Sequence, residues 1–206
     1  MSSKLQTGSL LVLSLLIIFT FSLVASEESQ DDLTFRSTRW GMSKSEVIER
    51  EGEPDVRRDV SSNGFTANLI YENLTVGGLD TALGYVFTEN KLVRGAYLFQ
   101  EDHSNNNLYI EDYRNIKNIL TDKYGHPEEE GPEWSKKTYQ GNTDQYGFAI
   151  SIGDLAFQAT WETEKTTIWE RLKGDNYTIS HRLYYDSKKF KDFIREKSEE
   201  QTQSQF

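Results

Sequence analysis

Apolar positions along this chain recur with different periods, and each period predicts an element. Tyr109, Tyr113, Ile116, Leu120 and Tyr124 are spaced by four, three, four and four, which is the single stripe of an amphipathic helix of about 16 residues. Strict alternation predicts strands. Phe65-Ala67-Leu69-Tyr71 alternates with Thr66-Asn68-Ile70, and Leu155-Phe157-Ala159-Trp161 alternates with Ala156-Gln158-Thr160. Tyr177-Ile179-His181-Leu183-Tyr185 alternates with Thr178-Ser180-Arg182-Tyr184. Residues 81–87 and 92–99, parted by a turn at Glu89-Asn90, and residues 166–172, beyond a turn at 162–164, read as three further strands. The polar stretch from Glu128 to about Tyr146 reads as loop. Ser187 opens a short helix carrying Phe190, Phe193 and Ile194, with a polar tail beyond Glu199.

A first, shorter helix is predicted from its ends. Ser43 followed three residues later by Glu46 is a capping box, in which each side chain satisfies a backbone N–H at a helix start. Met42 and Val47 flank it at the positions of a hydrophobic staple. The helix stops at Gly52, suited to a left-handed cap, and Pro54 forbids resumption. The longer helix ends the same way, at Gly125 with Pro127 two residues on. Both glycines and both prolines are 73 positions apart, which points to an internal repeat. The expected fold is therefore α+β, with two tandem modules of one helix and a three-stranded antiparallel meander, the helices on one face of the sheet. The modules span residues 34–100 and 108–186, and 187–206 form the short helix and tail.

Gly41-Met42-Ser43, Val47 and Glu51-Gly52-x-Pro54 resemble the opening of the SmpA/BamE-like small lipoproteins. Tandem helix-plus-meander units of this size resemble the β-lactamase inhibitor protein arrangement. The resemblance covers about residues 34–186 and implies a non-enzymatic binding module. One departure matters: those lipoproteins carry a lipidated cysteine after the signal, and this chain has no cysteine.

The amino terminus belongs to targeting rather than to the fold. A lone cation, Lys4, precedes an apolar run at residues 10–25 broken only by Ser14, Thr20 and Ser22, and small residues follow at Val24-Ala25-Ser26. This describes a secretory signal peptide, residues 1–26, cut before an acidic linker at 27–33. The alternative is an uncleaved anchor, although sixteen residues rise only about 24 Å as a helix, against a hydrocarbon core of roughly 30 Å. Cleavage would remove one lysine and no acid, taking the formal charge from −10 to −11. Either outcome places the body in the periplasm or outside the cell. So acidic a chain carries no electrostatic footprint for nucleic acid. The absence of cysteine excludes disulfides and thiolate chemistry.

Catalytic and metal motifs are lacking. His103, His126 and His181 stand at no ligand spacing to one another. Asp102, Ser104 and Asn106 begin like a calcium loop, but Asn107 replaces the required glycine and Tyr113 the bidentate glutamate. Glu111-Asp112 and Glu128-Glu129-Glu130 read as solvated faces. Asn73-Leu74-Thr75 and Asn176-Tyr177-Thr178 are formal glycosylation sequons. No cofactor and no enzymatic activity are expected. The one surplus is aromatic: four Trp, eleven Tyr and eleven Phe. Trp169, Arg171, Arg182 and Tyr184 fall on the outward positions of the last two strands and are of the types that dominate protein interfaces. The expected function is an exported binding protein that engages a protein partner or envelope component through its sheet. The alternatives are an envelope enzyme with a site assembled from distant residues, or a structural envelope protein anchored through residues 10–25.

Overall fold

Each predicted hairpin needs a tight reversal, and the backbone supplies three of one kind. In the computed structural model, Gly77-Gly78, Glu89-Asn90 and Asn176-Tyr177 are two-residue turns with both φ values positive, the geometry that matches strand twist. They join β2 (Leu69–Val76) to β3 (Leu79–Thr88), β3 to β4 (Lys91–Phe99), and β7 (Thr166–Asp175) to β8 (Thr178–Ser187). With β1 (Val56–Arg57), β5 (Glu129–Trp134) and β6 (Leu155–Glu162) they form one antiparallel sheet of eight strands, ordered β1-β2-β3-β4-β8-β7-β6-β5. The named α-helices that accompany it among the described residues are α1 (Lys44–Glu51), α2 (Leu108–Tyr124) and α3 (Tyr146–Ser151). The fold is α+β. The structure describes residues 33–58, 67–192 and 195, so the expected signal segment, nearly all of the linker, Phe65, Thr66, Phe193, Ile194 and the polar tail lie outside the described residues.

Helix α1 begins as its sequence demands. The Ser43 side chain accepts from the Glu46 N–H, and the Ser43 N–H donates to the Glu46 carboxylate at 2.8 Å. The hydrogen bonds from Ser43 lower the pKa of that carboxyl. Met42 and Val47 are both buried in the core. Gly41 donates its N–H to the Leu92 carbonyl at 2.8 Å, tying the helix start to β4. The terminal caps depart from the left-handed expectation. Gly52 (φ 88°, ψ −175°) and Gly125 (φ 86°, ψ −172°) occupy an extended region of positive φ open essentially to glycine alone, which turns the chain straight toward Pro54 and Pro127. Helix α2 buries Tyr113, Ile116 and Leu120 of the predicted stripe and Ile110 beside them, while Tyr109 and Tyr124, at the ends of the stripe, are only partly buried.

Several strands and one helix differ from expectation. The strand foreseen around residues 65–71 is β2, beginning at Leu69, and its alternation breaks at a register shift between Tyr71 and Leu74, where Asn73 has φ 56°. The stretch read as loop from Glu128 contains β5, which holds an edge of the sheet by pairing with β6 alone, and ends beside the six-residue α3. β1 is a two-residue strand at the other edge. Each helix-led segment thus contributes four strands, where three were expected. After β8 a 3₁₀ turn covers Lys188–Phe190, and Phe190 packs against Val86 and Val93.

The core gathers side chains from all three helices and from β2–β4 and β6–β8 in one cluster. Trp161, Tyr85, Leu83, Leu92, Ile150 and Leu172 are among its fully buried members, each contributing about 1.5–3 kcal/mol by leaving water. Strands β4 and β8 meet at mid-sheet, with Gly95 opposite Tyr185. A β-carbon at Gly95 would collide with the Phe35 ring, which lies over that backbone among Tyr85, Tyr97 and Tyr185.

Candidate functional site

Alternation along β7 and β8 sends Ile168, Leu172, Leu183 and Tyr185 into the core and the intervening residues to the opposite face. Trp169, Arg171, Arg182 and Tyr184 therefore share that outer face, as their positions predict. Cross-strand register makes them two pairs: Trp169 stands opposite Tyr184, and Arg171 opposite Arg182.

The Trp169 and Tyr184 rings stack with centroids 4.1 Å apart and planes 19° from parallel. Two residues that sequence reasoning did not single out hold the stack. Arg94 of β4 lies with its guanidinium 4.8 Å from the Tyr184 ring and 5.6 Å from that of Trp169. It forms a fork with Asp186 of β8, its Nη2 donating to Oδ2 at 2.7 Å and its Nε pairing with Oδ1. The same Oδ2 accepts from Trp169 Nε1 at 2.8 Å. Arg94 and Asp186 side chains are only 7 % and 13 % exposed, so this is a desolvated pair that fixes the indole in one orientation. Asp186 continues the outward series of β8, but Arg94 joins the group only through the β4–β8 pairing across 92 residues.

The neighbouring row is cationic. Arg182 donates from Nε to Ser180 at 2.9 Å and from Nη1 to the Tyr184 hydroxyl at 3.2 Å. Arg171 donates from Nη2 to Glu133 at 3.2 Å. Two guanidinium groups directly opposed on adjacent strands repel, and Lys173 lies beyond them on the same face. Partial burial, then Arg171 and Arg182, lower the pKa of Lys173. The face pairs a rigid aromatic platform with a concentrated positive row, in a chain of net charge −10.

The histidines are dispersed. His103 lies 2.6 Å through Nε2 from Asp112, which ties its loop to α2, and His126 is exposed beyond the Gly125 cap. His181 is buried in the core, its Nε2 2.8 Å from Glu170 Oε1. Glu170 is 0 % exposed, so the pair lies beneath the surface. Among the described residues no three His, Asp or Glu side chains gather to hold a metal ion. Among them, too, no helix is long and apolar enough to cross a membrane. Comparison with family models, with curated proteins and with solved structures returns no match for this chain.

Proposed function

We propose that this chain is an exported, non-catalytic binding protein that grips an acidic protein partner through the outer face of β7 and β8. The observation that carries the proposal is the Trp169–Tyr184 stack, locked by Arg94 and Asp186 before any partner arrives. Aromatic and arginine side chains held in place cost little ordering entropy on association, so they serve as anchors. The opposed Arg171 and Arg182 with Lys173 supply the complement to a carboxylate-bearing surface. The alternation that sorts the two faces also seals the Glu170–His181 pair in the core, which favours binding over catalysis.

A tandem repeat supports this reading. The sheet order is symmetric about the β4–β8 seam, and the two cap glycines share one backbone conformation. Each cap carbonyl accepts a hydrogen bond from an aromatic side chain of the second strand that follows: Tyr71 Oη to Gly52 at 2.9 Å, and Trp161 Nε1 to Gly125 at 3.0 Å. On this reading the two halves are a repeat in which one helix leads four antiparallel strands, with α3 inserted between β5 and β6 of the second, and the seam presents residues of both halves to the partner.

A photo-crosslinking side chain placed at Arg182, and separately at the exposed Ile119 of α2, tests the proposal in the native host. The expected result is one discrete adduct from position 182, lost in the Arg171→Glu background, and none from 119. Adducts from 119 alone, or none from either, sink it. Amino-terminal sequencing of the same material tests export, with Glu27 the expected first residue.

A further inference from the structure

The hairpin joining β7 to β8 turns on a residue that such turns seldom carry. Asn176 and Tyr177 both take positive φ, 47° and 64°. Asparagine tolerates that region, but glycine is the usual second residue and a bulky ring there is strained. The strain brings no burial, since Tyr177 is 73 % exposed. The tip is nonetheless held in place. The Tyr177 N–H donates to the Ser151 carbonyl at 2.9 Å, and Gly174 lets the hairpin lie against α3, because a β-carbon there would sit 2.2 Å from the Ile150 carbonyl oxygen. The Tyr177 ring thereby comes 6.5 Å from Phe148, itself exposed, which meets Tyr139 edge-on at 5.5 Å. Open aromatic surface is thus gathered at one end of the molecule.

The same tip carries a motif that partner binding leaves unused. Asn176-Tyr177-Thr178 is an acceptor sequence for N-linked sugar, and all three residues are exposed. Among the described residues, neither the Asn176 amide nor the Thr178 hydroxyl is hydrogen-bonded to the protein, so a sugar on Asn176 displaces no contact of the fold. A sugar ring turns its hydroxyls to water and keeps a face of C–H groups, weakly positive, that suits the negative face of an aromatic ring. The other sequon, Asn73-Leu74-Thr75, also exposes its asparagine and threonine, but its middle residue packs against the core.

We propose that Asn176 carries an N-linked glycan whose first sugars cover Tyr177 and Phe148. The Asn176 amide nitrogen attacks C1 of an oligosaccharide borne on a membrane polyprenyl diphosphate. The N–C1 bond forms, the C1–O bond breaks with its electron pair passing to the diphosphate, and the amide proton leaves to solvent, with no oxidation or reduction. The donor belongs to the export membrane, so the inference rests on the export part of the proposed function and is independent of the partner-binding part. Trp169 stands seven residues from Asn176, about 23 Å along β7, so sugar at the tip stands clear of the aromatic platform.

Glycopeptide mass spectrometry of the full chain from its native host tests the proposal, with amino-terminal sequencing of the same sample. The peptide containing Asn176 is expected to be heavier by whole sugar residues, to lose them in Thr178→Ala and to keep them in Thr178→Ser. Thr178 is exposed at the start of β8, so both variants leave the fold intact. Nitration of Tyr177 by tetranitromethane is expected to run faster in Thr178→Ala than in Thr178→Ser. A bare Asn176 on a chain that begins at Glu27 overturns the proposal while export stands, the more directly if Asn73 bears sugar in that sample. A bare Asn176 on a chain that keeps Met1 overturns both. Sugar at Asn176 with equal nitration of the two variants overturns the cover assigned to Tyr177 and Phe148.

Discussion

Glu170 and His181 are ionisable residues held almost wholly out of water. They face one another at 2.8 Å inside the core, with the His181 ring against Phe99 at 4.3 Å, and neither Glu170 Oε2 nor His181 Nδ1 finds a partner. Burial pushes the carboxyl up to about 9 and the imidazole down to about 3, so the pair sits neutral. Unfolding returns them to 4.5 and 6.5. Between those two values the folded pair holds one proton, on the carboxyl, and the unfolded pair holds one, on the imidazole. Stability is then indifferent to pH as far as this pair is concerned. Above 6.5 the unfolded imidazole loses its proton while the folded carboxyl keeps its own, so stability falls as pH rises toward 9. Below 4.5 the unfolded pair carries two protons against one, and stability falls as pH drops toward 3. The alkaline loss is on the order of 2–3 kcal/mol between pH 6.5 and 8.5. Urea midpoints across that range should show it in the native chain, and Glu170→Gln, which cannot ionise, should abolish it. A slope that survives the substitution would place its origin in another group, and no slope in the native chain would mean that the carboxylate is already charged when folded.

At the scale of elements, the helix ends carry the most testable chemistry. Ser43→Ala removes the side-chain half of a reciprocal cap, leaving the backbone N–H of residue 43 to donate to Glu46, and should cost about 1 kcal/mol in urea unfolding. Gly52→Ala and Gly125→Ala place a β-carbon at φ 88° and 86° where the cavity around it is open, so the penalty is backbone strain alone, on the order of 1–3 kcal/mol each. Equal penalties at the two positions would bear out the repeat, and a large inequality would count against it. These same ends were legible in the sequence because capping depends on three or four adjacent residues. Strands β6, β7 and β8 were legible because alternation follows from burial of one face, and β3 and β4 because they are buried on both faces and read as short apolar runs parted by a turn. β5 was not, since Glu129, Glu130, Pro132 and Glu133 serve an edge strand whose pairing is all supplied by β6. The six residues of α3 are too few to display a helical period, and the two of β1 too few for alternation. Of the candidate site, the outward Trp169, Arg171, Arg182 and Tyr184 could be read from their strands. Arg94 could not, because it lies in an otherwise apolar run, and only the pairing of β4 with β8 brings it to Asp186.

That pairing governs the molecule as a whole. Asp186 touches Arg94 across the seam and Trp169 across the hairpin, so one carboxylate joins the two halves of the sheet and orients the platform on it. Asp186→Ala leaves the nearly buried Arg94 guanidinium without this counter-charge and should cost about 3–5 kcal/mol, with a change in the near-ultraviolet signal of the freed indole. Asp186→Asn keeps the acceptor for Trp169 and should preserve the signal while losing less stability. A small effect of the alanine variant on both readouts would show that the seam is held by strand pairing alone.

The two outermost strands set a limit of a different sort. One edge ends in the two-residue β1, and the other in β5, whose proline has no N–H to donate and whose three glutamates repel any incoming chain. Among the described residues, a sheet closed off in this way offers a poor template for end-to-end polymerisation as the acidic protein is concentrated. Replacing Glu129, Pro132 and Glu133 by Thr, Val and Thr should remove that block, and light scattering should then register concentration-dependent fibres that the native chain does not form.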